Sequence, residues 1–220
     1  MTFRAAAPGG PMILHGYFRS TATWRVRIAL RLKGVAYEDV FHHLRRGEQR
    51  ADAYLALNPQ GLVPALQLDD GAVLTQSLAI IDYLDARFPE PPLIPADPLQ
   101  RARALALALA IASDIHPVQN LKVLARLRGL GLAEAAVTNW AREVIEEGLG
   151  ACEALIADEK GPFAFGEDPS VADICLIPQL ANARRFGADL RWPRLLAVEA
   201  AAGALPAFQA ARPEHQPDAE

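Results

Sequence analysis

Residues 18–30 have the sequence Phe-Arg-Ser-Thr-Ala-Thr-Trp-Arg-Val-Arg-Ile-Ala-Leu, and this stretch decides the architecture of the first half of the chain. The apolar run at residues 12–17 precedes it and predicts a short β-strand. From residue 24 to residue 33 apolar side chains recur at helical spacing, and Gly34 ends that pattern. The hydroxyl-rich segment at residues 20–23 is therefore predicted to connect a strand to a helix.

The hydroxyl groups of residues 20–23 have two interpretations. One is ordinary capping of the helix by Ser or Thr, which is the common use of these residues at a helix start. The other is anion binding, because backbone N–H groups and the helix dipole favour negative charge at this position. A thiolate bound there would have a depressed pKa. Taken alone, the motif favours the cap.

The remaining pattern of the first half is typical of a small mixed sheet with helices on its faces. Asp-Asp-Gly at residues 69–71 is a strong hairpin signal between two apolar runs. A strand is predicted at residues 37–41 and a loose helix at 47–57. The two hairpin strands are predicted at 63–68 and 72–74, and a helix follows at 77–88.

Two short motifs in this half have both a structural and a functional interpretation. A cis Val63–Pro64 bond would direct the backbone of Val63 outward to pair with an extended, peptide-like ligand. A trans bond is favoured by frequency, since only about 5–6% of X–Pro bonds are cis. Gln76 and Ser77, at a helix start, offer an amide, a hydroxyl and free N–H groups to a carboxylate. Ordinary capping is the simpler interpretation of that pair.

The second half is predicted to be helical. Five prolines between residues 89 and 98 are typical of a linker, and no convincing strand follows them. A first helix is predicted at residues 99–115, with a continuation to residue 127. Three more helices are predicted: one at 133–157, one that begins at Ser170, and one at 193–203. The predicted organisation is a disordered extension, a small α/β domain, a linker, an all-helical domain and a tail, at residues 1–11, 12–91, 92–98, 99–212 and 213–220.

Apolar periodicity also predicts which faces of these helices are buried. The helix at 99–115 is nearly all apolar and is expected to be buried throughout. The long helix at 133–157 is expected to direct four side chains inward, those of Val137, Trp140, Val144 and Leu155. Ser170 and Asp173 have the spacing of a capping box, although Asp is shorter than the usual Glu.

Composition excludes several classes of function. The chain has 220 residues and a net charge of −4, so the basic footprint of a nucleic-acid-binding protein is absent. Its two cysteines, Cys152 and Cys175, have neither the CxxC spacing of a metal or redox site nor a disulfide framework. The apolar stretch at residues 104–113 is too short to span a bilayer, and residues 1–11 lack the apolar centre of a signal peptide. No metal site is predicted, and the cytoplasm is the expected compartment.

Several cationic residues are candidates for binding an acidic substrate. Arginine grips a carboxylate with two parallel hydrogen bonds. Most arginines are simply solvated, and a histidine next to Pro117 is also compatible with an ordinary helix end. The candidates on this basis are Arg19, His116, Lys122, Arg184 and Arg185.

Taken together, these motifs closely resemble the zeta class of glutathione transferases. That family includes maleylacetoacetate isomerases and is similar to bacterial maleylpyruvate isomerases. The signature at residues 18–30 is highly specific, and the resemblance extends over residues 12–212. The other matching segments are residues 56–60, 63–66, 75–81, 114–121, 170–176 and 181–186.

The resemblance implies a thioredoxin-like N-terminal domain, an all-helical C-terminal domain, a homodimer and glutathione as the cofactor. It implies catalytic roles for Ser20, Thr21 and Arg19, with Ser20 hydrogen-bonded to the glutathione thiolate. The implied cofactor-binding residues are Ser20, Gln49, Val63, Pro64, Gln76 and Ser77. The implied substrate-binding residues are Arg19, His116, Asn120, Lys122 and Arg185, of which Lys122 stands where the maleylpyruvate relatives carry Arg.

The implied reaction is the glutathione-dependent cis–trans isomerisation of an unsaturated dicarboxylic keto acid, either maleylacetoacetate or maleylpyruvate. The chain departs from the family at Ala22, which replaces the usual cysteine, so no protein thiol lies beside the glutathione. The maleylpyruvate relatives also lack that cysteine. Two alternatives stay open: a general transferase or dehalogenase acting on α-halo acids, and a non-catalytic glutathione-binding module.

Overall fold

The computed structural model describes residues 10–220. Residues 1–9 of the predicted extension at 1–11 lie outside the described residues. The chain forms two compact units. The first comprises the described residues up to Leu93 together with Leu205–Glu220, and the second comprises Ile94–Ala204. This division differs from the predicted one at residues 205–220, which the sequence pattern assigns to the helical domain and a tail.

The first unit contains a four-stranded mixed sheet, which confirms the predicted fold class. Its strands are β1 Met12–Gly16, β2 Tyr37–Phe41, β3 Ala65–Gln67 and β4 Val73–Thr75. The strand order is β2-β1-β3-β4, in which β1 is parallel to β2 and antiparallel to β3, and β3 is antiparallel to β4. Because β1 has a neighbour on each side, the turn that follows it leaves from the middle of the sheet.

The helices of the first unit are α1 Thr21–Leu32, the single turn α2 Asp52–Leu55, α3 Ser77–Arg87 and α9 Pro206–Ala210. Helix α1 begins three residues earlier than predicted, because Ser20 caps it. The predicted loose helix at 47–57 is a 3-10 turn, Glu48–Arg50, followed by α2. The predicted hairpin turn is confirmed, since Ala72 donates to Asp70 and Leu68 to Ala72.

The second unit consists of five helices within residues 94–204, which confirms the all-helical prediction. They are α4 Pro98–Leu109, α5 Leu121–Gly129, α6 Glu134–Ile156, α7 Val171–Arg185 and α8 Pro193–Gly203. A π-helical segment, Ala110–Ile115, continues α4. Helix α7 is the core of this unit, because twelve of its residues are buried and it packs against α4 and α8.

Two predictions about buried faces are wrong in part, although Val137 of α6 is buried as predicted. The buried face of α6 is formed by Val137, Ala141, Ile145, Leu149, Cys152 and Ile156, whereas Trp140 and Leu155 are exposed. Part of the buried face consists of small residues. A prediction based on large apolar side chains therefore selects a different face of the helix. In α4 the buried side chains lie toward the end of the helix, and Leu99 and Leu109 are exposed.

The capping box at the start of α7 is confirmed. The Asp173 carboxylate is fully buried and accepts hydrogen bonds from the Ser170 amide and hydroxyl and from the Ala164 amide, at 2.8, 3.1 and 2.8 Å. Burial raises the pKa of Asp173, and these donors oppose that shift.

Both cysteines are free and buried in the second unit, as expected of apolar filler. Within residues 10–220, no helix combines the length and apolarity that crossing a bilayer requires.

Substituting Asp173→Ala should destabilise the protein by about 3 kcal/mol, because buried amides lose a charged acceptor. Urea denaturation monitored by circular dichroism measures this difference in the free energy of unfolding. The matched control is Asp168→Ala, an exposed acid in the loop that precedes α7. Equal unfolding midpoints for the two variants would show that the Asp173 contacts do not stabilise α7.

Candidate active site

The turn after β1 places Ser20 at the start of α1. Ser20 is the N-cap, and its Oγ accepts a hydrogen bond from the Thr23 amide at 3.2 Å. The predicted capping role is therefore confirmed. Because a hydroxyl that accepts one hydrogen bond can still donate its own proton, capping is compatible with Ser20 donating to an anion. Ser20 is half-buried, so a ligand can reach it.

The close approach of β1 to α1 depends on Gly16. A Cβ at this position would overlap the Thr23 side chain, so only glycine lets the strand end against the first turn of the helix. The Thr21 hydroxyl is buried and has no hydrogen-bond partner among the described residues. Ala22, the position of the family cysteine, is half-buried in the same turn. Arg19 stacks over the Phe18 ring at 5.9 Å from its centroid.

A second part of the site is the loop before β3, which ends in Val63–Pro64. This peptide bond is cis, although the frequency of X–Pro isomers favours trans. Tyr54 and Asn58 fix the loop by donating to the Leu62 carbonyl at 2.6 and 2.7 Å. Burial raises the pKa of Tyr54 to about 12, so its hydroxyl remains a donor over the whole neutral range.

Gln49 lies beside this loop. Its backbone carbonyl is 3.3 Å from the position that a Cβ on Gly61 would take, and Gly61 has a φ of +61°. The Gln49 side-chain oxygen is buried and has no partner within the described residues. A buried amide oxygen without a donor is costly, and a ligand N–H group would satisfy it.

The third part of the site is the start of α3. Gln76 occupies the N-cap with φ 68° and ψ 117°, a conformation that L-residues rarely adopt. Its side chain does not cap the helix but donates to Gln60 Oε1 at 2.9 Å. The simpler interpretation of Gln76 and Ser77 as ordinary caps is therefore wrong. This helix start presents backbone N–H groups without a side-chain cap, as an anion site requires.

Arg25 brings positive charge to the same helix start. It is buried on α1 and donates from Nη1 to the Ser77 Oγ at 3.3 Å. Since an arginine can only donate, this bond occupies a lone pair of the Ser77 hydroxyl and leaves its proton to donate elsewhere. The sequence patterns do not single out Arg25. Arg25 and Arg27 stand among apolar residues in the middle of α1, and this is the signal that could have identified Arg25.

The other candidate residues lie in the second unit. His116 follows the π-helical segment and is half-buried. Asn120 is the N-cap of α5, and its side-chain oxygen accepts from the amides of Lys122 and Val123 at 3.0 and 3.2 Å. The Lys122 side chain is exposed. These three candidates therefore lie within one short segment that ends in the first turn of α5.

The two arginines at the end of α7 differ in their surroundings. Arg184 forms a two-pronged ion pair with Glu199, at 2.5 and 2.6 Å, which raises the pKa of Arg184. Arg185 stacks over the Phe186 ring at 5.2 Å. Phe186 packs against the cluster of Leu124, Val137 and Ala141. This packing places the end of α7 beside α5 and α6.

The sequence matches two family profiles that together cover most of the chain. Residues 14–92 match the N-terminal domain of glutathione S-transferase, and residues 99–210 match its C-terminal domain. The chain is 50% identical over 210 residues to a maleylacetoacetate isomerase of Pseudomonas aeruginosa, covering 94% of this chain and 98% of that protein.

Solved structures give the same result. The holo structure of a maleylpyruvate isomerase, a bacterial zeta-class glutathione S-transferase, matches with a TM-score of 0.92 and 46% identity, over 94% of this chain and all of that one. A maleylacetoacetate isomerase of Anaeromyxobacter dehalogenans with bound glutathione matches with a TM-score of 0.87 and 45% identity, over 96% and 98% of the two chains.

The backbone of Gln76 provides a test of strain at this site. Gln76→Gly should stabilise the protein by about 1 kcal/mol, because glycine relieves the strain of a positive φ and loses part of that gain as chain entropy. Gln76→Ala removes the same side chain but retains the strain, and it is the matched control. Urea denaturation of both variants isolates the backbone contribution. Equal stability of the two variants would show that Gln76 is not strained.

Proposed function

Since the chain belongs to the glutathione S-transferase family, we propose that it is a zeta-class, glutathione-dependent cis–trans isomerase of an unsaturated dicarboxylic keto acid. The substrate is maleylacetoacetate or maleylpyruvate, the compounds named for its relatives. The observation that carries the proposal is identity of about half the residues over nearly the whole length of an isomerase. The helix-start serine with a proton left to donate supports it.

Three features of the first unit fit glutathione. The α3 start, with Ser77 and Gln76, suits the γ-glutamyl carboxylate, because its amides and the Ser77 proton are donors. The fixed loop at Val63 and Pro64 suits the cysteinyl backbone. The buried Gln49 oxygen needs a donor, which a peptide N–H group would supply. When bound, glutathione supplies a nucleophilic thiolate that adds reversibly to the double bond.

Ser20 holds the sulfur in its charged form. Its Oγ accepts a hydrogen bond from the Thr23 amide, and its own proton is left to donate to the sulfur. The α1 N-terminus adds its partial positive charge, and together these lower the pKa of a thiol at this position. Thr21 remains a second candidate, because its buried hydroxyl has no partner within residues 10–220.

The substrate carboxylates need cationic partners that also offset the negative charge developing during isomerisation. Arg19 and Arg185 are the proposed partners, and the guanidinium of each lies over the ring of the neighbouring phenylalanine. Arg184 is less suitable, because its guanidinium is held by Glu199. His116, Asn120 and Lys122 are proposed to contact the rest of the substrate.

We also propose that the protein is a cytoplasmic homodimer. Exposed leucines on α4, Leu99 at 67% and Leu109 at 46%, support an interface between copies. Sedimentation velocity tests the dimer. Two free cysteines support a reducing compartment, which is also where reduced glutathione is abundant. Fractionation of cells that produce the protein tests this location.

Purified protein should convert maleylacetoacetate or maleylpyruvate to the trans isomer only when glutathione is present. The assay couples the trans product to its hydrolase, and the ratio of the two rates identifies the preferred substrate. Protein without added glutathione is the control. Measurable glutathione binding without turnover of either acid would contradict the isomerase and favour a transferase or dehalogenase acting on α-halo acids.

Substituting Ser20→Ala should lower turnover about a hundredfold, which is the usual effect of removing one donor that stabilises a reacting anion. The variant also loses a helix cap, which costs about 1 kcal/mol of stability. Asp97→Ala is the matched control, because Asp97 caps α4 through the amides of Leu99 and Gln100. It should lose similar stability and keep its turnover. Unchanged turnover in Ser20→Ala would remove this residue from the mechanism.

A further inference from the structure

The segment after α9 is part of the first unit and packs within it. Gln216 is buried and donates to the carbonyls of Ala210 and Arg212 at 3.0 and 2.6 Å, which closes the chain into a compact turn after α9. Residues 211–220, called the C-terminal strap from here on, follow that helix. The mechanism described above uses none of them.

The C-terminal strap and α1 together hold the peptide groups of Phe18. The Asp218 carboxylate accepts from the Phe18 amide at 2.9 Å. Arg27 donates to the Phe18 carbonyl at 2.8 Å and, from Nε, to the Ala211 carbonyl at 3.1 Å. The amide and the carbonyl of one residue are therefore both held by charged side chains, and Arg27 connects that residue to the strap.

The positive charge of Arg27 and the negative charge of Asp218 stabilise each other in this arrangement. Its side chain is 2% exposed, and burial lowers its pKa to about 10. The charges of Asp39 and Asp218 oppose that shift. Arg27 therefore stays protonated at neutral pH, and removing Asp218 would take away both a hydrogen bond to Phe18 and part of the counter-charge.

Phe18 lies two residues before Ser20, in the same turn. The Ser20 amide donates to the Tyr17 carbonyl at 3.0 Å, so residues 17–20 move together. Phe18 shares one buried apolar cluster with Tyr17, Tyr54 and Val63. Val63 belongs to the loop that is proposed to bind the cysteinyl part of glutathione. A shift of the Phe18 peptide would therefore move Ser20 relative to that loop.

A second contact of the strap stabilises the same turn. Glu220 pairs with His43 Nε2 at 2.9 Å, and the His43 ring meets the Tyr17 ring edge-on at 5.2 Å. The turn is thus held at Tyr17 and at Phe18 by residues from the end of the strap.

We propose that the C-terminal strap positions the Ser20 hydroxyl against the glutathione sulfur, with Asp218 as the positioning residue that acts through the Phe18 amide. The inference rests on the proposed function, since it requires Ser20 to bind the thiolate. Positioning matters here because displacement of a catalytic group by a fraction of an ångström weakens a hydrogen bond that depends on direction.

The test compares Asp218→Ala and Asp218→Asn with Glu214→Gln, an exposed acid on the same strap. Three quantities are measured on the purified, folded protein: the pKa of bound glutathione, from the ultraviolet absorbance of its thiolate, and the dissociation constants of glutathione and of S-methylglutathione. Asp218→Ala should leave about tenfold less thiolate at a pH below the bound thiol pKa, and kcat should fall by a similar factor. Its affinity for S-methylglutathione should stay within about twofold, since that ligand has no thiolate for Ser20 to hold.

Asp218→Asn retains an acceptor oxygen and should fall between Asp218→Ala and the wild type, while Glu214→Gln should match the wild type. Thermal unfolding identifies a variant that does not fold, and in that case Asp218→Asn carries the test. An unchanged thiol pKa, or an equal loss of affinity for both ligands, would overturn the positioning role. Ser20→Ala is measured in parallel, because an unchanged thiol pKa in that variant would reject the proposed role of Ser20 rather than that of the strap.

Discussion

The buried guanidinium of Arg27 is the contact on which the first unit depends. It stands on α1 and donates to the carbonyls of Phe18, after β1, and of Ala211, after α9. A buried charge is tolerated only when its donors are satisfied and opposite charges lie near it. Asp39 and Asp218 supply those charges. One side chain thereby fixes the strand end, the helix and the last segment of the chain against each other.

Helix α1 also distributes positive charge to the proposed glutathione site. Its N-terminus and Ser20 are proposed to stabilise the sulfur, and Arg25, less than two turns later, donates to the Ser77 hydroxyl at the start of α3. Both helix starts favour anions, and each leaves a serine proton to donate. In the proposed complex, the same helix therefore stabilises both negative groups of glutathione, the thiolate and the carboxylate. This arrangement explains why the signature at residues 18–30 combines hydroxyls with buried arginines.

Much of the fold could be predicted from local signals. The hairpin followed from Asp-Asp-Gly, and the start of α7 followed from the spacing of Ser170 and Asp173, because both are decided by neighbouring residues. The face of α6 could not be predicted, because Ala141 and Cys152 contribute to burial without the large side chains that mark a periodicity. The site residues came mainly from the family resemblance, since each motif alone favoured a structural interpretation, such as a helix cap or a surface cation.

The sequence by itself determined the order of strands and helices, the family, and the serine and glutamine at two helix starts, because periodicity, turn chemistry and a specific signature are local properties. The tertiary structure alone decided the cis state of Val63–Pro64, the strained backbone of Gln76, and the partners of Arg25, Arg27 and Asp218. Asp218 lies 200 residues from Phe18 in the chain. Such contacts form between segments that no local pattern connects, since a buried charge selects its partners in space rather than along the sequence.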